Sequence, residues 1–202
     1  PISDMNPLLS ALNAKTILAS RPQSDGGINR RHVPVSEFFL GYRKVDKEEM
    51  EVIERIDVPL VQSKFEYVVP FKQARRREDD ISIVTSGMRL KLAASEDNWI
   101  IQDISISFGG MAPVTKLAKE TIAFMMNMKF EEITFVEARQ VLQKEFRMPD
   151  DVPGGQAQYR LTLACSFLHK FFLYCVGELR KDVEKWASMD QLPPVPTISS
   201  DQ

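Results

Sequence analysis

Histidine and cysteine are scarce in this 202-residue chain, with two of each. Cys165 and Cys175 stand ten positions apart in an apolar segment, without CxxC spacing or a nearby cluster of histidines. This pattern argues against a zinc site and favours two buried thiols in a reducing compartment. Because His32 lies in a basic run and His169 in an apolar one, the sequence does not assemble a catalytic triad.

Several sequence motifs of catalysis and nucleotide binding are also missing. The chain has no GxGxxG, no Walker-type phosphate loop, no HExxH and no nucleophile elbow. We therefore do not expect its own side chains to make or break bonds, and if it serves an enzyme, a cofactor does the chemistry.

The net charge of −2 indicates no general attraction to nucleic acid or to a membrane surface. The most apolar run, residues 161–179, carries His169 and Lys170 near its middle, which argues against a membrane span.

The beginning of the chain lacks the basic and apolar regions of a secretory signal. It starts with Pro1 rather than methionine, and we expect it to be a fragment or a processed piece of a longer protein. An apolar content of 44% is ordinary for a globular protein, so a substantial core is available.

The first 60 residues show mixed structural signals. Asn6 is placed to cap a short helix that has Pro7 in its first turn, and residues 15–20 have the composition of a strand. Residues 22–29 are rich in turn formers, and residues 36–41 are predicted as a single helical turn ended by glycine.

Residues 51–58 alternate in polarity, which predicts a strand. Val52, Ile56 and Val58 share one face. Ile53 lies on the other face, between charged residues, where it either packs under a loop or touches a ligand.

Three further strands are predicted in quick succession. Their buried faces carry Tyr67, Val69 and Phe71, then Met88, Leu90 and Leu92, then Ile104, Ile106 and Phe108. Short connections favour an antiparallel meander with one wet face, and Pro70 makes the first strand an edge strand or a bulged one.

A charged loop, residues 73–82, joins the first two of these strands and places three arginines directly before three acids. A run of charges is usually a solvated tip. Arginine forks, however, are also suited to bidentate binding of phosphate or carboxylate, and loops carry function more often than the strands beside them.

Helical spacing takes over after Pro113. We predict helices over residues 115–126, over residues 134–146 with a capping box opened by Thr134, and over residues 156–186. Three helices packed on the bare face of a three-stranded antiparallel sheet give an α+β fold.

Four short segments, taken in order, are more specific than any one alone. They are Ser3-Asp4-Met5-Asn6-Pro7, Gly41-Tyr42-Arg43-Lys44, the charged loop with its leading Phe71-Lys72-Gln73-Ala74, and Phe108-Gly109-Gly110-Met111-Ala112-Pro113. Together they resemble the flavin domain of the eukaryotic xanthine dehydrogenases, which are molybdenum hydroxylases. The resemblance spans residues 1–185 and includes Pro153-Gly154-Gly155 before a long aromatic helix.

This resemblance implies the second half of a flavin domain. Residues 1–60 would end an FAD-binding α/β subdomain, residues 61–186 would form the sheet-plus-helices subdomain, and residues 187–202 would be a linker. Electrons would pass from a molybdopterin centre through iron–sulfur clusters to FAD and then to NAD or oxygen during purine hydroxylation. The iron–sulfur and molybdenum domains would belong to the same polypeptide, in a cytoplasmic or peroxisomal homodimer.

The resemblance also implies roles for six residues. Asp4, Ile53 and Lys72 match positions that contact or approach FAD. Tyr42 matches a tyrosine along the nicotinamide nucleotide path, and Arg76 and Asp79 match members of the mobile loop that controls NAD access. Two alternatives stay open: the flavin domain of an aldehyde oxidase that uses oxygen only, or an interaction domain without enzymatic activity.

Overall fold

The computed structural model describes residues 3–21, 26–61, 63–186 and 192–199. Its helices are α1 (Asn6–Ala11), α2 (Val35–Phe38), α3 (Lys119–Met125), α4 (Glu132–Glu145) and α5 (Ala157–Trp186). Its strands are β1 (Lys15–Ser20), β2 (Asn29–Pro34), β3 (Phe39–Gly41), β4 (Lys44–Val45), β5 (Val52–Asp57), β6 (Glu66–Ala74), β7 (Ser82–Ser95), β8 (Asn98–Gly109) and β9 (Lys116–Leu117). The α+β class is confirmed.

The N-terminal sheet has the antiparallel order β2-β1-β5. A small core of Leu18, Val33 and Phe38 forms on it, because β1 is buried along most of its length. Strand β5 follows the predicted residues, yet all six of its residues are exposed. Ile53 is 51% exposed, so it does not pack under a loop in the described part of the chain.

The larger sheet has the antiparallel order β6-β7-β8-β9. The meander is confirmed with β6 at one edge, but short strand β9 makes the sheet four-stranded rather than three-stranded. One face packs against α3, α4 and α5 around the main core, to which Trp99, Phe108, Phe130, Phe171 and Phe172 contribute the largest buried side chains.

The opposite face of this sheet is not wet where β7 and β8 cross α1. Helix α1 lies on it, and a Cβ placed on Gly87 would overlap the backbone of Pro7 and Leu8. Arg89 is consequently buried on this face and donates hydrogen bonds to the Ala11 carbonyl (3.3 Å) and to the Glu66 carboxylate (3.0 Å). The prediction of a solvent-facing side failed because Gly87 has no side chain and so leaves room for a helix at close range.

Several predicted helix starts are wrong. Asn6 is the first residue of α1, and Ser3 Oγ accepts the Met5 and Asn6 amides, both at 3.2 Å. Thr134 lies inside α4 and its hydroxyl donates to the Lys129 carbonyl at 2.8 Å, so there is no capping box at Thr134.

The helix predicted over residues 115–126 begins only at Lys119, because Lys116 and Leu117 form β9, which pairs with β8. The predicted turn at residues 36–41 is helical only up to Phe38, since Phe39–Gly41 pairs with β4. Helix α5 begins within one residue of its predicted start.

Residues 192–199 of the predicted linker pack against the larger sheet and α4. The Trp99 indole donates to the Pro193 carbonyl at 3.2 Å, and the Ser199 amide donates to Glu132 at 2.8 Å. Leu192 and Val195 lie against the core. The predicted linker residues 187–191 and 200–202, and the turn residues 22–25, lie outside the described residues. None of the helices described is long and apolar enough to cross a bilayer.

Candidate functional site: a groove beside the charged loop

A groove of about 410 Å³ brings together four segments that are far apart in sequence. Its volume falls within the range of small-molecule sites, roughly 300–1,000 Å³. The residues that line it are Tyr42, Arg75, Glu78, Ile81, Ser82, Ile83, Gly110, Ala112, Pro113, Pro153, Gly154, Gln156 and Arg160. The charged loop and the two glycine-containing turns picked out in the sequence therefore share one concave surface.

Arg160, near the start of α5, holds the two turns together. Its Nη1 donates to the Gly110 carbonyl at 3.2 Å and its Nη2 to the Pro153 carbonyl at 3.0 Å. Gly154 has φ +82°, and a Cβ there would be 2.5 Å from Arg160 Nη2. Glycine at this position therefore gives both the left-handed backbone and the space for the guanidinium.

Gly110 fixes the other wall of the groove. It has φ +83°, and a Cβ at this position would overlap the Ile83 carbonyl. The turn after β8 can therefore lie directly on the strand that leaves the charged loop.

Asp4 and Lys72 meet at the base of the charged loop. Lys72 Nζ donates to Asp4 Oδ2 at 2.6 Å, and Ser82 Oγ donates to Asp4 Oδ1 at 2.5 Å. Hydrogen bonds from Lys72 and then Ser82 lower the pKa of the Asp4 carboxyl. Ser82 also lines the groove, so the pair adjoins it.

Within the charged loop, the residues predicted to control acceptor access do not line the groove, whereas two of their neighbours do. Arg75 and Glu78 line the groove and form an ion pair at 3.0 Å. The Arg76 side chain is 85% exposed and lies 3.5 Å from Asp80. Asp79 is exposed with φ 55°, and neither Arg76 nor Asp79 lines the groove.

The structure thus groups some of the predicted site residues and leaves others apart. Tyr42 lines the groove with 75% of its surface exposed, and Asp4 and Lys72 adjoin it. Ile53 lies on the exposed strand β5, outside the groove.

Sequence reasoning missed Arg75, Arg160 and Ser82. Only Arg75 had a signal, its place in the arginine run, because the contacts of Arg160 and Ser82 depend on the folded arrangement.

Two domain families match the chain. Residues 70–175 match the family described as CO dehydrogenase flavoprotein C-terminal domain, and residues 1–61 match the FAD binding domain in molybdopterin dehydrogenase. The first match covers just over half of the chain, so the chain belongs to the CO dehydrogenase flavoprotein C-terminal domain family.

Two individual relatives show which proteins the chain resembles. A xanthine dehydrogenase from Oryza sativa subsp. japonica is 38% identical over 179 residues, which is 89% of this chain and 13% of that protein. A nicotinate hydroxylase from Emericella nidulans is 40% identical over 176 residues, which is 86% of this chain and 12% of that protein. The chain is therefore xanthine dehydrogenase-like, and it spans about an eighth of the length of these relatives.

Solved structures support the same fold. A carbon monoxide dehydrogenase from Hydrogenophaga pseudoflava superposes with a TM-score of 0.67 at 22% identity. The superposition covers 83% of this chain and 54% of that chain.

Proposed function

We propose that this chain supplies part of the FAD site and the acceptor-facing groove of a xanthine dehydrogenase-like enzyme. In that enzyme, electrons pass from FAD to NAD or oxygen during hydroxylation of a purine. The observation that carries the proposal is the meeting of Tyr42, the charged loop and two glycine turns in one groove beside the Asp4–Lys72 pair.

The donor set at the base of the loop fits a flavin. The Lys72 and Asp4 side chains are 37% and 55% exposed, so each keeps a side open to a ligand despite their ion pair. An ammonium can donate to ring oxygens and nitrogens, and a carboxylate can accept from an N–H or a hydroxyl group. FAD, when bound, supplies the electron transfer, and the Lys72 charge favours negative charge on the reduced ring.

The groove fits the approach of a flat, anionic electron acceptor. Tyr42 offers an exposed aromatic face for stacking. Arg75 and Arg160 place guanidinium groups along the wall, where they suit phosphate oxygens. Arg76 and Asp79, on the same loop outside the groove, would act by changing the position of the loop.

The surrounding assembly is part of the same proposal. Iron–sulfur clusters and molybdopterin would be held by other domains of one polypeptide, in a homodimer located in the cytoplasm or peroxisomes. A xanthine dehydrogenase and a nicotinate hydroxylase resemble this chain to a similar degree, which supports placing substrate choice outside these residues.

The proposal is tested in an intact flavoenzyme that carries this chain. We expect Asp4→Ala and Lys72→Ala each to weaken FAD retention by roughly 10- to 100-fold, because a charge-assisted contact of about 1.5–3 kcal/mol is lost. Flavin content and NAD reduction are measured for both variants. Lys119→Ala, at an exposed position of α3, is the matched control and should leave both unchanged. Wild-type flavin content and NAD reduction in Asp4→Ala and Lys72→Ala would overturn the proposal.

A further inference from the structure

The Asp4 carboxylate connects the two strands that enter and leave the charged loop. Oδ2 accepts from Lys72, near the end of β6, and Oδ1 accepts from Ser82, the first residue of β7. Each carboxylate oxygen therefore serves a different strand, so the side chain is held at two points.

Strand pairing places this connection at the base of the loop. Ser82 is the register partner of Ala74, the last residue of β6. Above this pair the loop closes on its own backbone, where the Glu78 amide donates to the Arg75 carbonyl at 3.0 Å and the Ile81 amide donates to the Glu78 carbonyl at 3.2 Å. A change in the position of Ser82 would therefore alter both its contact with Asp4 and the conformation of the loop.

Burial differs sharply between the two partners of Asp4. Ser82 is 8% exposed, whereas the Lys72 side chain is 37% exposed on a long, flexible stem. A short, buried hydroxyl defines the position of an oxygen more closely than an exposed ammonium does, because it has fewer rotamers and less competition from water.

We propose that Ser82 is a positioning residue of the flavin site, which fixes one Asp4 oxygen and leaves the exposed side of the carboxylate turned to the ligand. This inference rests on the proposed role of Asp4 at FAD. It adds a link between that role and the charged loop, since Ser82 belongs to the strand that leaves the loop.

The test titrates Asp4 in the 202-residue chain by NMR of its carboxyl carbon. Ser82→Ala removes the donated hydrogen bond that favours the ionised form, so the titration midpoint of Asp4 should rise. Ser82→Thr keeps the hydroxyl and should return the midpoint towards that of the wild type. Ser86→Ala is the control, because Ser86 is a buried serine of the same strand whose hydroxyl has no hydrogen-bond partner among the described residues.

The possible results separate this inference from the proposed function. An unchanged Asp4 midpoint in Ser82→Ala, with amide signals showing that the variant is folded, overturns the positioning role. A raised midpoint supports it. If the midpoint rises while Asp4→Ala leaves the flavin content of the intact enzyme unchanged, Ser82 positions Asp4 but the flavin role of Asp4 is wrong.

Discussion

Gly87 is a single residue on which the seating of the first helix depends. It lies on β7 directly under α1, and the backbones of Pro7 and Leu8 occupy the space where a Cβ would be. Since Asp4 lies two residues before this helix, the position of the candidate flavin ligand also depends on the close approach.

We expect Gly87→Ala to destabilise the chain by about 1–3 kcal/mol, because the inserted methyl group overlaps backbone rather than a side chain that could move aside. Chemical denaturation followed by far-UV circular dichroism measures the change in the free energy of unfolding.

Gly177→Ala provides the comparison for this substitution. Gly177 lies within α5 with nothing inside 4 Å of a built Cβ, so alanine there should stabilise the helix by about 1 kcal/mol. Equal unfolding midpoints for wild type and Gly87→Ala would show that α1 does not need the close contact.

At the scale of residues, sequence could find side chains with their own chemical signal but not those defined by their neighbours. Tyr42 and Lys72 stand in recognisable motifs, and the structure places both at or beside the groove. Arg160 reads in the sequence as an ordinary helix residue. Its role in joining two turns arises only when Gly110 and Pro153 approach each other in space.

At the scale of elements, the charged loop has one side that faces the groove and a tip that is exposed. Arg75 and Glu78 face the groove, whereas the Arg76 side chain is 85% exposed at the tip. Consecutive left-handed residues at Asp79 and Asp80, with φ 55° and 52°, turn the chain back towards β7. Aspartate tolerates this conformation better than most residues do.

In the intact enzyme, we expect Arg75→Ala to lower the ratio of NAD to oxygen use by about fivefold, equivalent to ~1 kcal/mol of lost phosphate contact. Arg76→Ala should shift the same ratio less, through the loop position alone. Steady-state rates with each acceptor decide between them. An equal or larger effect of Arg76→Ala would mean that the tip of the loop, not its groove side, meets the acceptor.

Among the elements, strongly patterned segments were predictable and short ones were not. The alternation in β7 and the apolar content of α5 come from side chains that must be buried together, so the sequence carries that information locally. Strand β9 has only two residues and exists because it pairs with β8, a long-range contact that no local pattern records.

At the scale of the whole molecule, the two larger sheets of the described residues differ in how far helices cover them. The larger sheet has helices on both faces, whereas β5 exposes apolar side chains, including Val52 at 64% and Ile53 at 51%. An exposed apolar edge strand is a feature that proteins normally cover with another surface.

We expect the 202-residue chain alone to bind FAD weakly, with a dissociation constant above ~1 μM, corresponding to less than about 8 kcal/mol. Ligand sites usually enclose ~70–90% of a small ligand. The Asp4 side chain and Ile53, both predicted from the sequence to contact FAD, are each more than half exposed, which would leave a bound flavin open to solvent.

Flavin fluorescence titration measures this affinity, with the intact flavoenzyme as the positive control. Stoichiometric, submicromolar binding by the isolated chain would contradict the expectation. It would also mean that the described residues enclose the cofactor more completely than their exposure indicates.

The docked segment at residues 192–199 gives the protein a natural optical probe. The chain has two tryptophans, and they occupy different settings. Trp99 is 1% exposed beneath the Pro193 carbonyl, while the Trp186 ring has the Lys64 ammonium 3.9 Å from its centre. Release of the segment would let water reach the Trp99 indole and shift its emission to the red, whereas fraying at the end of α5 would change Trp186 instead. Intrinsic fluorescence can therefore follow the release of this segment without an added dye.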